Sequence, residues 1–142
     1  MINTLKDISK HIMLFVIGGI IYVWMEILWR GYSHWSMFLL GGLCFILIGL
    51  VNEHISWDDP LSMQMLYGAV LITVLEFLTG VIVNIIFGLN VWDYSNKPLN
   101  YMGQICLSNS VLWYFLAGVA IALDDYLRYL LFNEEKPKYR IF

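Results

Sequence analysis

Apolar residues fall in four long runs along the chain, at about 11–29, 35–51, 67–89 and 102–123, separated by shorter polar stretches. Each run is close to the roughly 20-residue length with which a helix crosses the hydrocarbon core of a bilayer. An open sheet at that depth would leave backbone groups without partners, so helices are the expected form. The pattern predicts an all-α, integral membrane four-helix bundle, with residues 1–142 forming a single transmembrane domain and an ordered polar loop between helices 3 and 4. Residues 124–132 read as a short amphipathic segment with its apolar side at the interface and its charges in water. The polar end of the chain, from Asn133 and including Pro137, reads as a frayed tail.

Composition strengthens this reading. The chain is 60% hydrophobic and 16% aromatic but only 13% charged, and its mean hydropathy is +0.70. A soluble domain carries about a quarter of charged residues. The formal net charge of -3 provides no basic face for nucleic acid. Cys44 and Cys106 lie inside apolar runs with neither CxxC nor Cys/His spacing, which predicts free thiols acting as small apolar fillers. Lys6 and Lys10 before the first run resemble the start of a signal peptide. The run is too long for one, however, and Met25 to Arg30 is no small-residue cleavage site, so a first transmembrane helix is predicted. No phosphate-cradling glycine loop, HExxH or Ser-His-Asp ordering occurs, which excludes ATP hydrolysis on this chain. His11, His34 and His54 are scattered near helix ends, and no metal site or cofactor is predicted.

The ends of the runs carry orientation. Trp29, Tyr32, Trp35, Trp57, Trp92, Tyr94 and Tyr101 cluster there as an interfacial belt would. Lys6, Lys10, Arg128, Lys136, Lys138 and Arg140 lie on the side of the termini, against Arg30 and Lys97 on the other. The asymmetry predicts a multi-pass membrane protein with both termini cytoplasmic. The middle loop, with Glu53, Asp58 and Asp59 and no basic residue, adds little.

Polar residues inside such segments are expensive unless they face protein or water, and they mark either a site or a packing network. Glu76, Gly80 and Asn84 recur at i, i+4 and i+8 in the third run, which places them along one helix face. Glu76 sits near the middle of its segment, where an isolated ionised carboxylate would cost several kcal/mol. It is therefore expected to be protonated, paired or hydrated. The fourth run opens with Gln104, Ser108 and Asn109, which serve equally well as ligand contacts or as hydrogen-bonding glue between helices. Between them lies Trp92-Asp93-Tyr94-Ser95-Asn96-Lys97-Pro98-Leu99-Asn100. Its turn residues suit either an outer loop anchored at the headgroups or a loop dipping inward, with Asp93 and Asn100 facing Glu76 and Gln104. Glu26, four residues before Arg30, reads as an interfacial ion pair or as a second carboxylate in an outer cavity. Candidate substrate-binding residues are thus Glu76, Asn84, Asp93, Tyr94, Asn100, Gln104 and Glu26, while the sequence assigns no catalytic residue.

Glu76-Phe77-Leu78-Thr79-Gly80, Trp92-Asp93-Tyr94-Ser95, Pro98, Asn100, Gly103-Gln104-Ile105-Cys106-Leu107, Ser110 and Trp113 together resemble the pattern of a family of bacterial membrane proteins labelled ABC-transporter type IV permeases. The resemblance covers about the middle third of the chain. Longer members carry an Asn-Arg-Gly and Gly-Pro-rich stretch where this chain has Tyr32-Ser33-His34-Trp35 and Gly41-Gly42. The resemblance implies a small-solute transporter or permease-like subunit embedded in the lipid bilayer of a bacterial cytoplasmic membrane; four helices leave little room for a private translocation path, so a homodimer or a partner membrane subunit is expected. Two alternatives stand beside it: an intramembrane enzyme acting on a lipid or envelope precursor, with Glu76 and Asp93 as acid and base, and a structural or assembly protein whose polar residues only join helices.

Overall fold

In a computed structural model, residues 2–54 and 59–139 are described; Trp57, Asp58 and Arg140, used above for the belt, the middle loop and the orientation, lie outside them. Four α-helices follow in order: α1 (Ile2–Arg30), α2 (Trp35–Glu53), α3 (Leu61–Gly80) and α4 (Leu107–Phe132). A π-helical turn, Val81–Ile86, prolongs α3, and a small antiparallel ribbon of β1 (Asn100–Tyr101) and β2 (Ile105–Cys106) precedes α4. Thr4–Arg30, Leu61–Ile86 and Leu107–Phe132 are each long and apolar enough to cross a membrane; α2 contributes the shorter apolar stretch Trp35–Val51. This is a membrane protein built almost wholly of helix.

The helix bounds differ from those expected for local reasons. α1 starts nine residues before 11, because Lys6, Asp7 and Lys10 are compatible with a helix whose first turns are exposed. It stops where Gly31 adopts φ 83 and its N–H bonds the Ile27 carbonyl at 2.8 Å, the usual left-handed exit. α3 begins directly after Pro60, whose fixed φ suits a helix start. Met102 and Gly103, at φ 55 and 73, are incompatible with the helix expected from residue 102, so α4 begins at Leu107. At its other end α4 runs without interruption through the residues expected to form a separate amphipathic segment, and turns out at Asn133, φ 57.

The described residues fall into two compact units, one of residues 2–54 and 120–138, the other of residues 59–119 with Tyr139. In the first, α1 and α2 pack closely through small residues. A Cβ on Gly19 would stand 2.7 Å from the Phe38 carbonyl oxygen, and one on Gly42 the same distance from that of Phe15. Only glycine permits such backbone approach, the usual means by which helices associate in lipid. Phe15 and Phe38 meet edge to face, with ring centroids 6.0 Å apart, and Leu14, Cys44, Phe45 and Ile48 fill the core of this unit.

In the second unit, α3 buries Gln64, Gly68, Ile72, Glu76 and Gly80, one residue in four along a single stripe. The other faces of α3 expose Leu66, Val70, Val74 and Leu78, as a lipid-facing surface requires. The Thr73 and Ser110 hydroxyls, 2.9 Å apart, join α3 to α4 within this unit. Both cysteines are buried and neither is in a disulfide.

Candidate functional site

Glu76 lies in the buried stripe of α3 and is 1% exposed. Both carboxyl oxygens are hydrogen-bond acceptors: the Tyr94 hydroxyl donates to Oε2 at 3.2 Å and the Trp113 indole N–H to Oε1 at 3.3 Å. The Tyr94 hydroxyl oxygen in turn accepts from the Asn109 amide at 2.8 Å. The Lys97 ammonium donates to Asn109 Oδ1 at 3.4 Å and stands 5.3 Å over the Tyr94 ring. A connected line of side chains thus leads from an exposed lysine to a buried carboxyl group.

The polar loop that delivers Tyr94 is held by amides. The π turn ends α3 with the Phe87 N–H bonded to the Ile82 carbonyl at 3.0 Å; such turns are frequent at functional sites. Asn84, in this turn, is the clamp. Its Oδ1 accepts the Val91 and Trp92 backbone N–H groups at 2.6 and 3.4 Å, and its amide nitrogen donates to Gln104 Oε1 at 2.8 Å. Gln104 Nε2 donates to the Met102 carbonyl and the Trp92 indole to the Gln104 carbonyl, each at 3.0 Å. Tyr94 and Gly103 are joined through the backbone at 2.8 Å. Trp92 is therefore 7% exposed and turned into protein, not a headgroup anchor as the belt pattern suggests.

Of the loop's candidate residues, Tyr94 bonds Glu76, while Asp93 and Asn100 do not take the inward-facing places that one of the two readings of the loop gave them. Asp93 is exposed, and its carboxylate accepts the Ser95 N–H at 2.9 Å. Hydrogen bonds from the Ser95 backbone and hydroxyl hold its pKa below the ordinary aspartate value. Asn100 serves the turn: its amide nitrogen donates to the Lys97 and Ser95 carbonyls and its oxygen accepts the Gly103 N–H. Asn84 and Gln104 shape the loop, and Tyr94 is the loop residue whose hydroxyl bonds Glu76. Glu26 belongs to the other unit, where it pairs with Arg30 at 2.6 Å while Arg30 covers the Tyr32 ring. Trp113 and the Lys97–Asn109 pair were not among the expected site residues, although Trp113 closes the motif on which the resemblance rests.

A second polar cluster lies in the first unit and was not foreseen. Arg128, 3% exposed, donates from Nε to both oxygens of Asp124, which is 0% exposed, at 3.1 and 3.0 Å. Its Nη1 reaches Glu53 in direct contact and Glu134 at 3.7 Å. Lys10 completes the cluster with Glu134 at 3.3 Å and Glu53 at 4.0 Å. Asp124 and Arg128 are thus buried and not in water, as a surface-lying segment 124–132 would have them. Pro137 is also buried, so the start of the tail is packed. The Asp124–Arg128 spacing of i, i+4, acid first, is the helical signal that could have revealed it; the other members are too distant in sequence to be linked by pattern. Among the described residues, no group of three or more His, Cys, Asp or Glu is placed to hold a metal ion.

A protein-family model described as "Putative ABC-transporter type IV" matches residues 13–138. No curated protein and no solved structure matches the chain.

Proposed function

The chain belongs to the family described as "Putative ABC-transporter type IV", and from that premise we propose that it is a permease-like subunit that moves a small solute across a bacterial cytoplasmic membrane, with Glu76 as its central polar site. The observation that carries this reading is a carboxyl group 1% exposed within the apolar span Leu61–Ile86, both of whose oxygens are held by side-chain donors. An ionisable group at membrane depth is by default a functional-site candidate. Tyr94 and Trp113 fix its orientation, and the Asn84–Gln104 amides set the loop that brings Tyr94 to it.

In this reading the chain crosses the membrane several times with both termini in the cytoplasm, because Lys6, Lys10, Arg128, Lys136 and Lys138 flank that side against Arg30 and Lys97 on the other. The loop over Glu76 then faces outward. Four helices leave little room for a private translocation path, which favours a homodimer or a partner membrane subunit. The sequence has no P-loop, so any ATP hydrolysis falls to another chain. The enzyme alternative gains no support from Asp93, whose exposed carboxylate is engaged by Ser95.

The test is uptake by reconstituted vesicles, screened over labelled small solutes. For any solute that wild-type protein admits, Glu76→Gln should reduce uptake to the level of protein-free vesicles while keeping a wild-type-like Tm. Undiminished uptake would overturn the assignment. A lowered Tm with uptake intact would make Glu76 a helix-joining residue instead.

A further inference from the structure

We infer that Lys97 and Asn109 form a latch that keeps Tyr94 closed over Glu76, so that the loop of residues 91–104 is a fixed frame and Tyr94 its moving gate. The inference rests on Glu76 being the functional site, and adds how access to that site is controlled.

Exposure falls stepwise along the line: Lys97 is exposed, Asn109 and Tyr94 are half-buried, and Glu76 is buried. A solute arriving from the loop side therefore meets Lys97 and Asn109 before the carboxyl group. Tyr94 has two kinds of restraint. Its backbone belongs to the frame, through its N–H to Gly103 and its carbonyl to the Lys97 N–H, and that frame is tied down by Asn84, Gln104 and Trp92. Its ring is held by the Asn109 amide on the hydroxyl, the Lys97 ammonium over the face and Glu76 beyond.

The two sets of restraints differ in what can release them. The amide frame is internal to the loop and the end of α3. The outer restraints are one amide donor and one ammonium at half-exposed and exposed positions, where a polar solute can compete for them. Cation–π and single hydrogen-bond contacts at such positions are weak, suited to a contact that opens and recloses. Rotation of the Tyr94 side chain would take its hydroxyl from Glu76 Oε2 with the loop backbone in place. Lys97 and Asn109 are thus positioning residues, acting on Glu76 through Tyr94.

Carbodiimide labelling of purified protein in detergent micelles, mapped by mass spectrometry, reads access to Glu76 without any transport assay, and the exposed Asp93 serves as internal reference. Asn109→Ala should label at Glu76 about tenfold faster than wild type, the factor expected for one lost hydrogen bond to the gate. Lys97→Met should accelerate labelling by a smaller factor, with Lys97→Arg restoring the wild-type rate. Tyr94→Ala should label fastest. Each variant is compared at equal Tm, and Ser108→Ala, on the same turn of α4, controls for general loosening and should label as wild type. Wild-type rates in both Asn109→Ala and Lys97→Met, with Tyr94→Ala fast, would overturn the latch. Wild-type rates in Tyr94→Ala would overturn the gate itself. Loss of the proposed transport role would show separately, as uptake persisting in Glu76→Gln.

Discussion

Replacing Arg128 by methionine should destabilise the protein by about 3–5 kcal/mol, because removal of one partner strands the other's charge in the interior. Asp124 is 0% exposed and takes both of its Arg128 bonds from a single nitrogen, at 3.1 and 3.0 Å. It packs closely against α2, where a Cβ on Gly49 would stand 2.7 Å from Asp124 Oδ1. Loss of Arg128 also removes the cation shared by Glu53 and Glu134, leaving Lys10 alone between those two carboxylates. The double variant Asp124→Leu/Arg128→Met should recover most of the loss, since well-packed apolar replacements of buried pairs are often neutral or better. Thermal melts in detergent micelles, arranged as a double-mutant cycle, read the coupling directly. If Arg128→Met melts with the wild type, the cluster contributes nothing to folding. If the double variant is no better than the single, the penalty is one of packing and not of unpaired charge.

The same contrast explains what could be read from the sequence. The helices were legible because lipid imposes length and hydrophobicity together: three of the four apolar runs fall on helices long enough to cross a membrane, and the fourth, Trp35–Val51, is a shorter apolar helix. Their ends were less so. Left-handed backbone at Met102 and Gly103 displaces the start of α4 to Leu107, and Met102 carries no residue-type signal for it. Glu76 stood out by chemistry alone, a carboxyl group in a run of Val, Leu, Ile and Phe. Its bonds did not: Tyr94 is a candidate by its place in the polar loop, but it and Trp113 lie 18 and 37 residues from Glu76, and no spacing links them to it. Asp93 and Asn100 drew notice because polar loop residues resemble ligands, yet their side chains cap the turn. The Lys10–Glu53–Arg128–Glu134 cluster is the extreme case, with contacts spanning 75 and 124 residues. Of that network, Asp124–Arg128 has the spacing of one helical turn, and the step from Arg128 to Glu134 leaves the helix.

Gly80→Ala should lower stability and speed carbodiimide labelling of Glu76, although helix propensity alone favours alanine by about 1 kcal/mol at such a position. Gly80 has ordinary helical angles, φ -62 and ψ -42, so its backbone makes no demand for glycine. The demand comes from the loop. A Cβ there would stand 2.6 Å from Gln104 Oε1 and 3.0 Å from both Gln104 Cβ and Trp92 Cζ2. The Gln104 side chain is not free to yield, because Asn84 donates to its oxygen and its nitrogen donates to the Met102 carbonyl. Trp92 is fixed by its indole bond to the Gln104 backbone. Overpacking of this kind costs about 1–3 kcal/mol, and relief requires the loop to lift, which withdraws Tyr94 from Glu76. The propensity and steric terms have opposite signs, so a thermal melt separates them: a Tm above wild type would show that the loop does not press on Gly80. Trp92 emission, isolated by comparison with Trp92→Phe in the same background, should shift to longer wavelength as the indole meets water. A Gln104→Ala change made on top of Gly80→Ala should then cost less than it does in the wild type, since the alanine methyl group fills space that the glutamine no longer occupies.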